Sequence, residues 1–287
     1  MCHSFSELVS SPHSVRDALD SEISHIRAHL VNCLPFSINM IAAIRDHYDR
    51  CRVLVAGDVE DIAGVLVEFH SMYNGHIWYD PIIWITGSPD ISSKLLHERG
   101  YGRSIVISQT DFSSQFPLET RGMRVFEEFI MTVNTDMLPV SASNPNVEIR
   151  QLNTADVEES LLFSGYDGEN MDLEERKQEE NFLKERICLG LYSNGQLVSR
   201  GAIMSVTEDY ASVGAFFTLA GARKKGFGSS IAAEVSRKAA ATSKYACLFV
   251  RSTNNEAISL YKKLGCDILP RLKPWASCFF DLSCPCG

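Results

Sequence analysis

A chain of 287 residues, 45% hydrophobic and 22% charged, is long enough for two domains of ordinary size and has the balance of a globular protein. Its net charge of -9 and pI near 5.4 exclude the broad basic surface that nucleic acid requires. No apolar run approaches the ~18 residues of a membrane span, so the expectation is a protein that binds neither nucleic acid nor membrane.

The first thirty residues carry Glu7, Asp17, Asp20 and Glu22 and no lysine, which fits neither a secretory signal nor an Arg-rich transit peptide. A cytoplasmic location is expected, with a mitochondrial one as the alternative. Nine scattered cysteines, Cys188 and Cys247 among them in apolar runs, read as reduced, buried thiols. Cys284-Pro285-Cys286 has no partner histidines and reads as a tail, so no metal is expected.

In chain order, Val15, Leu19, Ile23, Ile26 and Leu30 form a helical stripe over 13–31, and Pro35 interrupts it. Ser37 is placed to cap a second helix carrying Ile38, Ile41 and Ile44. Strand-like runs follow at 53–56, 62–69 and 77–86, with Asn74-Gly75 as a hairpin signal between the last two. Gly87-Ser88-Pro89-Asp90 opens a helix that Gly100 closes. Runs 103–108 and 123–133 read as two more strands. The small, polar segment 140–146 is the best linker candidate, dividing the chain into domains 1–140 and 147–287.

The second half opens with a strand at 147–151 and a helix capped by Thr154. An acidic stretch from Asp167 to Glu180 reads as a loop and an exposed helix. Strands 188–192 and 197–206 flank Ser193-Asn194-Gly195, a hairpin. Strand 211–219, helix 226–241, strand 245–251, helix 255–264 and a final strand pair near 266–282 complete it.

The densest signal is Arg223-Lys224-Lys225-Gly226-Phe227-Gly228-Ser229, where a strand turns into a helix. Glycines let backbone approach a ligand, the first helical amides lack internal partners, and three cations stand beside them. The pattern suits a phosphate, and its spacing is neither the dinucleotide fingerprint nor the P-loop. A second motif follows, Asn255-Glu256-Ala257-Ile258-Ser259-Leu260-Tyr261-Lys262-Lys263-Leu264-Gly265.

Together, Arg-x-x-Gly-x-Gly and Asn-x-x-Ala-x-x-Leu-Tyr-x-x-x-Gly resemble the acyl-CoA-binding core of the GCN5-related N-acetyltransferases (GNAT). The resemblance implies an α/β protein with a mixed sheet, the GNAT fold in the second half, and a degenerate copy of it in the first. It implies acetyl-CoA or another acyl-CoA as co-substrate. The segment Pro35-Phe36-Ser37-Ile38-Asn39 is similar to the amino-terminal region of glycine N-acyltransferases, which tilts the acceptor toward a small amine or an amino acid such as glycine. A protein amine, or a CoA-binding module without catalysis, are the alternatives.

By the same resemblance, the pantetheine arm bonds the backbone of Phe217 and Leu219, flanking Thr218. The pyrophosphate rests on the amides of Lys224, Lys225, Gly226, Phe227, Gly228 and Ser229 beside Arg223. Asn255 contacts CoA or caps its helix. Tyr261 matches the acid that protonates the departing thiolate, as a phenol can at neutral pH. The position of a glutamate base in glycine N-acyltransferases holds Ser212, which cannot take the proton. All eight histidines precede residue 98, so Glu208, Asp209, Asp167 and Glu169 are the remaining candidate bases.

Overall fold

The structure, a computed structural model, describes residues 13–70, 81–99, 104–109, 124–138, 147–164, 173–269 and 275–280. The hairpin signal at Asn74-Gly75, the linker 140–146, the carboxylates Asp167 and Glu169, and Cys284-Pro285-Cys286 lie outside them. The chain forms two compact units, and each has a mixed sheet.

Unit 1 holds the N-terminal residues, most of them through Phe129, and the C-terminal segment from Pro270. Its elements are β1 (Val15–Asp17), α1 (Ile23–Val31), α2 (Ile38–Asp46), β2 (Cys51–Asp58), β3 (Asp61–Phe69), β4 (Ile82–Ile85), α3 (Pro89–Arg99), β5 (Ser104–Ser108) and the start of β6 (Arg124–Asn134). Strands β1 to β4 pair antiparallel, and β4 pairs parallel with β5 over its whole length, Ile82–Ile85 against Ile105–Ser108. Leu54, Leu66, Ile83, Ile85 and Leu95, none of them exposed, form the core beneath α3. Phe36 and Ser37 are buried too, and the Ser37 hydroxyl donates to the Leu30 carbonyl at 2.5 Å instead of capping α2.

Helix α1 is shorter than its apolar stripe. Val15 pairs with Ala56 in a strand, and a 3-10 turn at Asp20–Glu22 begins the helical run because the Glu22 carboxylate accepts the Leu19 amide at 2.9 Å.

Unit 2 spans Ile130–Leu269. After the end of β6 come β7 (Val147–Gln151), α4 (Val157–Phe163), α5 (Leu173–Glu185), β8 (Ile187–Ser193), β9 (Gln196–Val206), β10 (Tyr210–Thr218), α6 (Phe227–Ala239), β11 (Tyr245–Arg251), α7 (Asn255–Lys263) and β12 (Asp267–Ile268). The sheet runs β7-β8-β9-β10 antiparallel and then β10-β11 parallel. Asn194 and Gly195, both at positive φ (52° and 78°), make the tight β8–β9 turn. Asn153, not Thr154, caps the turn into α4, its side chain accepting the Ala155 amide at 2.9 Å. Leu152, Leu161, Leu183, Cys188 and Ala202 form the core under α4 and α5.

The last two strands are not paired with each other. β12 pairs with Met131 and Thr132 of β6, whereas β13 (Trp275–Phe280) completes unit 1 between β5 and the first part of β6. No helix among the described residues is long and apolar enough to cross a membrane.

Candidate active site

Strand β10 organises the site. Its pairing with β11 stops after Tyr210, Ala211 and Ser212, although β10 continues to Thr218 and β11 to Arg251. The two strands therefore part and leave a slit along the second half of β10. On the other side, β10 stays paired with β9 but slips in register between Gly214 and Phe217. Ala215 sits at φ 52°, a left-handed conformation costly for a residue with a Cβ. This β-bulge turns the backbone just where the slit opens.

The bulge decides which amides face the slit. The Leu219 amide donates to the Val198 carbonyl at 3.0 Å. Hydrogen-bonded pairs alternate in an antiparallel ladder, so Phe217, across from Arg200, also directs its amide at β9. The slit-facing groups belong to Phe216 and Thr218, one residue off the Phe217 and Leu219 amides assigned from the sequence. Thr218 is held firmly: its carbonyl accepts the Arg223 Nε at 3.2 Å, and its hydroxyl lies 2.7 Å from the Ser199 hydroxyl. Ser199 is fully buried and also donates to the Phe217 carbonyl at 2.9 Å.

At the end of β10, a 3-10 turn (Ala220–Ala222) leads into exposed Arg223, Lys224, Lys225 and Gly226. Lys224 (φ 59°) and Gly226 (φ 87°) are both left-handed. Gly226 stands at the N-cap of α6 without a side-chain cap, and the first turn of α6 holds no acid. The amides of Phe227, Gly228 and Ser229 are therefore open to an anion, with the helix dipole and three neighbouring cations favouring it. A Cβ on Gly228 would come within 3.3 Å of the Thr218 hydroxyl, so glycine keeps the helix start close to the slit. Helix α6 is fixed by its buried face, Ile231, Ala232, Val235 and Ala239.

Tyr261 lies on α7, its ring 6.0 Å from that of Phe216. Burial pushes its phenol up to about 12, which keeps it protonated throughout the neutral range, as a proton donor must be. Asn254, not Asn255, caps α7, its side chain accepting the Ala257 amide at 3.1 Å. Asn255 is the first helical residue and is exposed, free of the cap and available to a ligand.

Of the carboxylates suggested by the sequence, the described pair, Glu208 and Asp209, is not brought to this place. Exposed Glu208 and Asp209 form the β9–β10 turn, which Thr207, Tyr210 and Tyr245 hold by backbone bonds. At ~3.3 Å per strand residue they stand roughly 23–26 Å from Phe216 and roughly 30 Å from Thr218. Ser212 is 2% exposed, in the closed part of the sheet between Ser205 and Cys247. Among the described residues, no group of three or more His, Cys, Asp or Glu could hold a metal ion.

Two further residues shape the site. Gly201 lies under the Phe216 ring: a Cβ there would fall 2.4 Å from the ring and 3.3 Å from Val235. A lone glycine inside a strand pattern is the one sequence signal that could have marked this approach. Arg200 pairs across the sheet with Phe217, and nothing in the local sequence distinguishes it.

A parallel strand pair that splays beside a β-bulge, followed by an uncapped basic helix start, is the acyl-CoA N-acyltransferase (GNAT) fold. Residues 188–275, roughly a third of the chain, match the family model of the FR47-like proteins. Solved structures carry the likeness across both units. A Drosophila protein matches with a TM-score of 0.67 and 13% identity over 93% of this chain and 98% of its own. A GCN5-related N-acetyltransferase-like protein from Streptococcus suis matches at 0.58 and 16%, over 92% and 100%. A tandem GNAT protein from the clavulanic acid biosynthesis pathway matches at 0.60 and 10%, over 93% and 97%. No curated protein matches significantly. The chain thus has a tandem GNAT-like, two-domain arrangement with an FR47-like domain in its C-terminal part.

Proposed function

We propose that unit 2 is an acyl-CoA-dependent N-acyltransferase that moves an acetyl or other acyl group to a primary amine of a small molecule, possible acceptors including glycine and other amino acids. The slit between β10 and β11 carries this reading: it exposes backbone groups of Phe216 and Thr218 to a pantetheine arm and ends at the anion-binding start of α6. Arg223, Lys224 and Lys225 meet the phosphates, and Asn255 lies within the same motif. A backbone amide at the bulge polarises the thioester carbonyl. The amine attacks, the C–S bond breaks, and Tyr261 gives its proton to the departing thiolate. The amine's own proton leaves to water, since Glu208, Asp209 and Ser212 stand away from the slit.

CoA should raise the melting temperature of the protein in a concentration-dependent way. Incubation with acyl-CoA and an amine library should release free thiol. A protein that gains no stability from CoA does not have this site. A second reading, a CoA-binding module without catalysis, is favoured by Ser212, which stands where glycine N-acyltransferases carry their base. CoA binding without thiol release, for free amines and peptides alike, would select it. Peptides acylated in preference to free amines would instead make the acceptor a protein.

A further inference from the structure

The face of β9 and β10 opposite α6 carries a charged residue that the acyl-CoA reading leaves unused. Arg200 lies across from Phe217, under α4 and α5. Its Nη1 donates to Ser160 Oγ at 2.5 Å and to Glu179 Oε1 at 2.6 Å, and the Ser160 hydroxyl donates to that carboxylate oxygen at 2.7 Å. The guanidinium lies 5.9 Å from the Phe163 ring centroid and 5.7 Å from that of Phe182. Phe163 in turn meets Phe217 edge-on at 5.2 Å. One edge of the guanidinium is thus committed, and two aromatic rings lie close to it.

The other edge is uncommitted. Nε is buried without a partner, and no described residue accepts from Nη2. These two N–H groups point the same way, a fork matched to two oxygens of one planar anion. A buried charged donor left without an acceptor is costly, and such groups in native proteins call for an explanation. Phe217, a large apolar side chain left substantially exposed (42%), stands on the strand between this fork and the slit.

We propose that the Arg200 fork binds the carboxylate of the acceptor, which makes the acceptor an amino acid and not a simple amine. This rests on reading unit 2 as an acyltransferase. Glu179 supplies its negative charge at the opposite edge of the guanidinium, so a carboxylate monoanion at the fork is better balanced there than a dianionic phosphate. The bonds to Ser160 and Glu179 hold the guanidinium before the acceptor arrives, so little rotamer freedom is lost on binding. Phe217 offers an apolar wall to the acceptor's side chain.

The test compares protein amino acids with their own carboxamides, at saturating acetyl-CoA and again with a medium-chain acyl-CoA. An amide has the more readily deprotonated amine, so chemistry alone favours it. The wild-type protein is expected to prefer its best acid over the matching amide by about 10–100-fold in kcat/KM. Arg200→Lys keeps the charge and loses the fork, and should reduce that ratio to within ~3-fold. CoA-induced stabilisation of this variant verifies that it is folded. Equal use of acids and amides by the wild type, or a ratio that survives Arg200→Lys, overturns the proposal. If CoA binds but nothing is acylated, calorimetric titration of the same acids into the CoA-bound protein decides: binding weakened by Arg200→Lys supports it, and no binding overturns it. A wild type that fails to bind CoA removes the acyltransferase reading itself, and this proposal with it.

Discussion

The two units build the same strand order and differ at two points, a strand pair and the helix start beside it. In unit 1, β4 pairs with β5 along its full length, and the Gln109 amide extends the ladder by donating to the Ile85 carbonyl at 3.1 Å. In unit 2, the corresponding pair separates after Ser212. The helix starts differ in the same sense. In unit 1 the Thr86 hydroxyl accepts the Val65 amide at 3.0 Å, Ile91 occupies the space beside Gly87, and Ser88 caps Ile91 at 3.4 Å. Pro89 offers no N–H, and Asp90 places an acid in the first turn of α3. In unit 2 the corresponding start has no side-chain cap, no acid, and three cations before it. The fold tolerates both versions, so it does not by itself supply an acyl-CoA site. In the proposed reading, the parting of two strands and an uncapped helix terminus supply it.

The largest expected effect tests whether unit 2 is the working half. Tyr261→Phe keeps the ring against Phe216 and removes the proton donor. Turnover should fall ~10²–10⁴-fold, with CoA affinity altered far less. Unchanged turnover, in conditions where chemistry limits the rate, would make Tyr261 a packing residue.

A matched pair of glycine substitutions breaks the comparison from both sides. A Cβ at Gly226 meets nothing within 4 Å, but φ of 87° strains any L residue there. Gly226→Val should therefore disturb the anion site and weaken CoA binding by about tenfold or more. Gly87→Ala would put a Cβ 2.8 Å from Ile91, at φ 123°. It should lower stability by about 1–3 kcal/mol and leave CoA affinity unchanged. Calorimetric titration and thermal melts on both variants read this out. Loss of CoA binding on Gly87→Ala would mean that unit 1 contributes to the site.

How far the sequence reveals this contrast depends on whether its causes are local. Helix α6 and the strands around it follow from Phe227, Ile231, Val235 and Ala239 and from the Asn194-Gly195 turn. The glycine and tyrosine motifs mark the anion site and Tyr261. Three features depend on pairings that no local pattern encodes. The bulge at Ala215 moves the slit-facing amides by one residue. The stop in pairing at Ser212 closes that position inside the sheet. Strand β13 pairs with β5 and β6, far back in the chain, although its sequence suggests a hairpin with β12. Arg200 and its open fork come from elements separated by up to 40 residues.

A smaller effect sharpens the comparison at the slit. Gly201→Ala places a methyl 2.4 Å from the Phe216 ring, which must shift, and that ring lies 6.0 Å from Tyr261. Turnover should drop by several-fold and the melting temperature by a few degrees. A simultaneous Phe216→Leu change, which removes the clashing ring edge, should restore part of the stability. Failure of that rescue would mean that the glycine serves another contact.

The smallest expected effect concerns the proton of the amine. If Glu208 or Asp209 were the base, Glu208→Gln or Asp209→Asn would remove the acidic limb of the pH–rate profile. Their place in the β9–β10 turn predicts turnover within ~2-fold of the wild type for each, and the same for Ser212→Ala. If water takes the proton, the fraction of acceptor in the free-amine form sets the rate. Log kcat/KM should then climb by about one for each pH unit below the acceptor's own pKa and level off above it. Tyr261 adds no falling limb in that range. Its phenol is pushed up to about 12, so it holds its proton below that pH and loses it only above. Changing the acceptor to an amine of lower pKa should move the plateau by the same amount. A plateau that stays put when the acceptor changes would place the titrating group on the protein, and the first-named carboxylates would have to be tested in pairs.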